Sequence, residues 1–157
     1  MAVFPPPSVV GPLRAAMPDG AQLTRSTKWH ITLVFLGEAA PSDVASALAG
    51  VSPPARFTLR LSGAGRFGSA AWAGIAGDLA SLGVLRDRVR DALTAVGFPS
   101  EDRPFHPHLT VSYHSDRSIQ RALAAHSGTE WTVDEFALVS SQNNEYTSLA
   151  TWPLPPS

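Results

Sequence analysis

His30-Ile31-Thr32-Leu33-Val34-Phe35 and His108-Leu109-Thr110-Val111-Ser112-Tyr113 are two copies of one pattern. They begin 78 residues apart in a chain of 157, half its length. Each is β-branched and apolar at alternate positions, the signature of a strand with one buried face. Side chains alternate along a strand. Ile31, Leu33 and Phe35 therefore point into a core in the first copy, and Leu109, Val111 and Tyr113 in the second. His30 and Thr32 share the other face of the first copy, as His108, Thr110 and Ser112 do in the second. Each strand thus sets an imidazole and a hydroxyl side by side, roughly 7 Å apart from a ~3.3 Å rise per residue.

The context repeats with the strand. A helix and a loop precede each copy, and a turn, a Ser-Asp helix start (Ser42-Asp43, Ser115-Asp116) and further strands follow. Self-similarity at half the chain predicts two lobes from one duplicated unit rather than a solenoid. Two such lobes pack about a pseudo-twofold axis, with the matching strands facing each other across a cleft and the helices outside. The expected fold class is α+β, with antiparallel sheets, as one bilobal domain over residues 1–157.

The remaining elements follow from periodicity and breakers. Ser8 is placed to cap a helix from Val9 to Met17, with Pro12 tolerated only near its first turn. The first His strand runs from His30 to Leu36, where Gly37 stops it, and a helix runs from Pro41 to Leu48. Strands span Phe57–Leu61 and Ala71–Ile75, separated by a turn carrying Gly63, Gly65 and Gly68. Asp78 caps the longest helix, to Val96, with Leu79, Leu82, Leu85, Val89, Ala92, Leu93 and Val96 as its apolar positions. Its other face, with Arg86, Arg90 and Asp91, reads as solvated. A helix over Asp116–Ala125 and strands over Trp131–Val139 and Tyr146–Trp152 complete the chain.

Composition bounds the chemistry. Hydrophobic residues are 44% and charged residues 16%, enough apolar mass for a packed core. The 12 basic and 13 acidic side chains nearly cancel, and no block of five or six like charges occurs. A protein that tracks a nucleic-acid duplex carries a basic face; this balance points instead to a grip on one end or one phosphate. With no cysteine, thiolate catalysis, disulfides and Cys-ligated zinc are excluded. No run reaches the ~18 apolar residues of a membrane span, and Met1 to Pro7 lacks the regions of a signal peptide. The expected protein is soluble, cytoplasmic and monomeric, without a membrane contact.

Two imidazoles and two hydroxyls around one point suit in-line displacement at phosphorus. One imidazole takes a proton from the attacking oxygen and the other gives one to the leaving oxygen, near the ordinary histidine pKa of ~6.5. Hydroxyls donate to the non-bridging oxygens. His30 and His108 are thus the candidate catalytic pair, and Thr32 and Thr110 the phosphate-binding pair; no metal or cofactor enters. His106, two residues before His108, and Arg103, Phe67 and Arg66 are candidate substrate contacts, the aromatic ring by stacking on a base and the arginines by charge. A metal site from His106, His108 and His114 is the weak competitor, because no carboxylates cluster beside it. A module that binds nucleotides or RNA ends with little turnover is the stronger one.

The two His-x-Thr motifs resemble the 2H phosphoesterase superfamily. Within it, His30 to Glu38 and Arg103-Pro104-Phe105-His106-Pro107-His108-Leu109-Thr110 are similar to the RNA 2′,3′-cyclic phosphodiesterases, the 2′-5′ RNA ligase-like (LigT-like) proteins. Gly65-Arg66-Phe67-Gly68 with Trp72, and Leu138 to Leu154, look like its Gly/Phe turn and closing strand pair. The resemblance implies a bilobal LigT-like fold. It implies hydrolysis of a 2′,3′-cyclic phosphate, on an RNA end or a cyclic nucleotide, to a 2′-phosphate. It implies His30 as proton donor to the 3′ oxygen and His108 as base toward water. Tyr113 stands where the family commonly has Arg, and Ser140 where it has Arg or another long polar residue.

Overall fold

The structure is a computed structural model and describes residues 1–99, 103–143 and 145–157. Its strands are β1 (Ala2–Val3), β2 (Ile31–Thr32), β3 (Phe57–Phe67), β4 (Ala70–Gly77), β5 (His108–Ser112), β6 (Trp131–Val133), β7 (Glu135–Gln142) and β8 (Glu145–Pro153). Its helices are α1 (Pro7–Ala16), α2 (Pro41–Leu48), α3 (Leu79–Ala95) and α4 (Arg117–Ala125). The strands form one antiparallel sheet in the order β6-β3-β4-β5-β2-β1-β7-β8. Four strands belong to each half, and the halves meet between β5 and β2.

That junction refines the expected layout. The fold is α+β and duplicated, but the matching strands lie edge to edge: Ile31 pairs with Leu109 in antiparallel register. Extending the register one residue each way sets His30 against Thr110 and Thr32 against His108. The cross-packing of helices follows the same symmetry. The helix before each His strand packs on the helix after the other: α1 on α4, and α3 on α2. A continuous core runs beneath, with Ile31, Leu109 and Val111 fully buried and Leu33 nearly so.

Local chemistry explains the boundaries. α3 and α4 start where an aspartate accepts the backbone N–H three residues on, Asp78 from Ser81 (2.9 Å) and Asp116 from Ile119 (2.8 Å). α1 starts earlier than Ser8 suggests. Pro7 occupies its first turn, where a missing N–H costs nothing, and Pro12 sits inside the helix rather than at its start. β3 runs straight through Gly63 and Gly65 with a register shift between Leu61 and Ala64, and the turn falls at Gly68-Ser69, with Gly68 at φ 58°. The alternation from Trp131 to Val139 is one run in sequence but two strands in space. β6 pairs with β3, while β7 pairs with β1 and β8, and the chain crosses between them at Asp134.

The outer ends of both His strands also differ from simple alternation. Only Ile31 and Thr32 keep ladder geometry in the first, because the N–H groups of Leu33 and Val34 both turn to the Met1 carbonyl (2.9 and 3.4 Å). Phe35 is consequently 75% exposed instead of in the core. In the second, Ser112 is fully buried and Tyr113 is 59% exposed, the reverse of expectation. The Ser112 hydroxyl donates to the Gln22 carbonyl (2.6 Å) and accepts from the His114 N–H (2.9 Å). Those bonds fold the strand's end inward.

Candidate active site

The two imidazoles are held by one device used twice. His30 Nδ1–H donates to the Lys28 carbonyl at 2.6 Å, and His108 Nδ1–H donates to the His106 carbonyl at 2.7 Å. A carbonyl only accepts, so each bond fixes the proton on Nδ1 and leaves Nε2 as the working nitrogen. Trp29, the residue between Lys28 and His30, is extended (φ −69°, ψ 120°), and Pro107 holds the equivalent place between His106 and His108. Thr32 Oγ1 lies 3.0 Å from His30 Nε2. With Nδ1 protonated, Nε2 is a lone pair and the Thr32 hydroxyl donates to it. Burial pushes the His30 pKa below its ordinary value; the Lys28 carbonyl opposes the shift, and the nearby His108 adds to it.

Aromatic rings wall both histidines. His30 lies between Phe4 (5.6 Å between centroids) and the edge of Tyr146 (5.5 Å), and the Lys28 ammonium lies 5.1 Å over the Tyr146 ring. His108 meets Phe67 edge-on at 5.1 Å and Trp72 at 5.7 Å. His106 joins that group, 4.9 Å from Trp72 and 5.6 Å from Phe67. Gly65 makes the Trp72 position possible: a Cβ there would clash with Cη2 and Cζ2 of the indole. Tyr146 was not a sequence candidate, since its nearness to His30 depends on β8 returning beside β7. Burial raises its phenol pKa, with a smaller contribution from Tyr113.

A cleft of ≈ 470 Å³ opens beside the histidines. Thr32 and His108 line it, with Phe67, His106 and Arg103. These five candidates are brought together at the cleft, whereas His30 and Thr110 are not among its lining residues; the Ile31–Leu109 pairing sets them next to Thr32 and His108 in the sheet. Arg66 is not brought in. Phe67, Trp72 and Gly65 share one face of the hairpin, so alternation turns Arg66 to the other, where it is exposed. Among the described residues, no His/Asp/Glu group is placed to share a metal ion.

Arg86 and Arg90 correct the reading of α3. Both line the cleft, and Arg86 is only 9% exposed, its guanidinium 5.3 Å over the Phe105 ring. The spacing held the signal: Arg86 follows Leu82 by four and precedes Val89 by three, inside the apolar stripe. Only Asp91 of that face is well solvated, its side chain 71% exposed.

Similarity to known proteins agrees with this geometry. The model of the 2′-5′ RNA ligase superfamily matches residues 5–145. The chain is 34% identical over 146 residues to a protein of Geobacillus stearothermophilus named RNA 2′,3′-cyclic phosphodiesterase, covering 80% of this chain and 45% of that one. A protein of the same name from Escherichia coli is 30% identical over 147 residues, covering 87% and 82%. An Aeropyrum pernix relative, again of that name, is covered over 52% of its length, so the chain spans about half of two of these relatives. The crystal structure of E. coli LigT complexed with 3′-AMP superposes with TM-score 0.73 at 26% identity, over 98% of this chain and 95% of that one. A Thermus thermophilus crystal structure gives 0.73 at 28% identity, over 99% and 96%. No helix among the described residues is long and apolar enough to cross a membrane. A duplicated His-x-Thr strand pair in a LigT-like sheet, matched by the family model over nearly its whole length, places this chain in the 2′-5′ RNA ligase superfamily.

Proposed function

We propose that this chain is a cyclic phosphodiesterase that opens 2′,3′-cyclic phosphates, on RNA ends or nucleotides, to 2′-phosphates without a metal. The observation that carries the reading is the antiparallel Ile31–Leu109 rung, which sets each His-x-Thr against an inverted copy of itself. Relatives named RNA 2′,3′-cyclic phosphodiesterase support it. His108 Nε2 takes the proton of a water whose oxygen attacks phosphorus. The 3′ oxygen departs in line and takes the proton of His30 Nε2, leaving phosphate on the 2′ oxygen.

The Thr32–His30 bond gives the step a switch. Unliganded, the Thr32 hydroxyl donates to a neutral His30. An anionic phosphate raises the depressed His30 pKa, so that the ring takes up a proton from solvent. Nε2 then donates instead of accepting, and the Thr32 hydroxyl is released to donate to a non-bridging oxygen. Thr110, opposite His30 in the register, serves the second oxygen.

Turnover of adenosine 2′,3′-cyclic phosphate in EDTA, followed by phosphorus NMR, tests the reading. A single 2′-phosphate product at an unchanged rate is expected. Activity lost to EDTA and restored by a divalent ion overturns the two-histidine mechanism, and a clean 3′-phosphate overturns the assigned roles. The low-turnover binding module rests on Tyr113 and Ser140, where the resembling family carries cationic or long polar side chains. Tight 2′-AMP binding without turnover would select it.

A further inference from the structure

The two-histidine chemistry leaves α3's pair of arginines unused. Arg86 and Arg90 lie one helical turn apart and line the same cleft as Thr32 and His108. Arg86 is nine-tenths buried, and its Nε has no hydrogen-bond partner among the described residues. Its Nη1 reaches Asp87 Oδ1, at 3.2 Å, and Arg90 lies 3.7 Å from that oxygen and 3.2 Å from Asp91. Both carboxylates are on the solvent side, 54% and 71% exposed, where ion pairs are screened and weak. None of the described residues lining the cleft is acidic.

Arg86 and Arg90 bring two guanidinium charges to a cleft whose described lining holds no carboxylate, and such a lining favours an anion. The planar fork of Arg matches the paired oxygens of a phosphate or a carboxylate bidentately, and phosphate is the anion this site's nucleotide chemistry supplies. The cleft's ≈ 470 Å³ lies in the ~300–1,000 Å³ range of small-ligand sites, room for a ribose between the histidines and α3. We infer that Arg86 and Arg90 form a second anion subsite. It takes the phosphate on the 5′ oxygen of the ribose whose cyclic phosphate sits between His30 and His108. The source is the preceding linkage of an RNA strand or the 5′-phosphate of a free nucleotide. The choice of ribose rests on the phosphodiesterase reading; the anion subsite itself does not.

Calorimetry separates the two. Wild-type protein is titrated with adenosine 2′-monophosphate, with adenosine 2′,5′-bisphosphate and with a dinucleotide ending in a 2′-phosphate. The bisphosphate should bind about tenfold or more tighter than the monophosphate, the worth of one charge-assisted contact. Arg90→Ala and Arg86→Met should each bring that ratio toward one. Arg121→Ala, which removes an exposed charge from α4, should leave it intact. A gain shared by the dinucleotide identifies the strand linkage as the source, and a gain confined to the bisphosphate identifies the free nucleotide; either supports the subsite. A wild-type ratio near one overturns it, as does an equal loss in Arg121→Ala. Should Arg86→Met fail to fold, the surface-proximal Arg90→Ala decides alone. If adenosine 2′,3′-cyclic phosphate is not hydrolysed while the ratio holds and responds to Arg90→Ala, the phosphodiesterase reading falls and the subsite stands.

Discussion

Among the described residues, Ile31 and Leu109 face each other at the one rung that pairs the two halves of the sheet. Both are fully buried. Their side chains anchor the junction from the core, and their flanking residues, His30 with Thr32 and His108 with Thr110, stand on its other face. The catalytic candidates thus flank a pair of fully buried residues.

Proton transfer by the pair predicts how mutants behave. His30→Ala and His108→Ala should each lower kcat on a 2′,3′-cyclic nucleotide by at least ~10²-fold, the usual worth of one general acid or base. The double variant should be little worse than either single one, because the two act as a unit. Steady-state kinetics check this, and a wild-type rate in either single variant removes that histidine from the reaction.

The rate should be bell-shaped in pH, since one imidazole must be protonated while the other is neutral. Its two limbs belong to the coupled pair and not to one residue. A pH–rate profile that rises monotonically across the histidine range contradicts this.

Burial of His30 has a consequence for stability. Its folded pKa lies below the unfolded value of ~6.5, so the unfolded chain binds the extra proton in the window between the two. Stability is full above the unfolded pKa and is lost as pH falls from there toward the folded pKa. Thermal unfolding should show a smaller drop in Tm between pH 7.5 and 5.5 for His30→Gln than for wild type. Equal drops would place the pH dependence elsewhere.

Gly65→Ala should displace Trp72, because the new methyl occupies the space of the indole ring. Overpacking of this kind costs about 1–3 kcal/mol, and the displaced ring no longer supports His106 and His108. Expected are a lower Tm, altered tryptophan fluorescence and a kcat loss larger than the unfolded fraction explains. Unchanged fluorescence with full activity would show that the ring does not hold the histidines.

Ser112→Ala removes a buried hydroxyl that serves both the Gln22 carbonyl and the His114 N–H. An unsatisfied buried group costs about 1–3 kcal/mol. Denaturant unfolding should show a loss of that order, while Ser118→Ala, on an exposed cap, should cost less.

The sequence by itself determined the duplicated unit, the α+β class and the four residues of the two His-x-Thr motifs. Alternation and a half-chain repeat are local patterns, and Ile31, Leu33, Leu109 and Val111 follow them into the core. Asp78 and Asp116 likewise announce their helices through short-range capping bonds. Only tertiary structure decided what depends on contacts between distant segments. Phe35 and Tyr113 continue the apolar alternation but lie beyond the last ladder bonds, and so face solvent. Tyr146 reaches His30 because β8 folds back along β7. Arg86 carries a charge yet lies in the apolar stripe of α3. Its fate turned on what packed above that stripe: Phe105 and a cleft, neither of which is a neighbour in sequence.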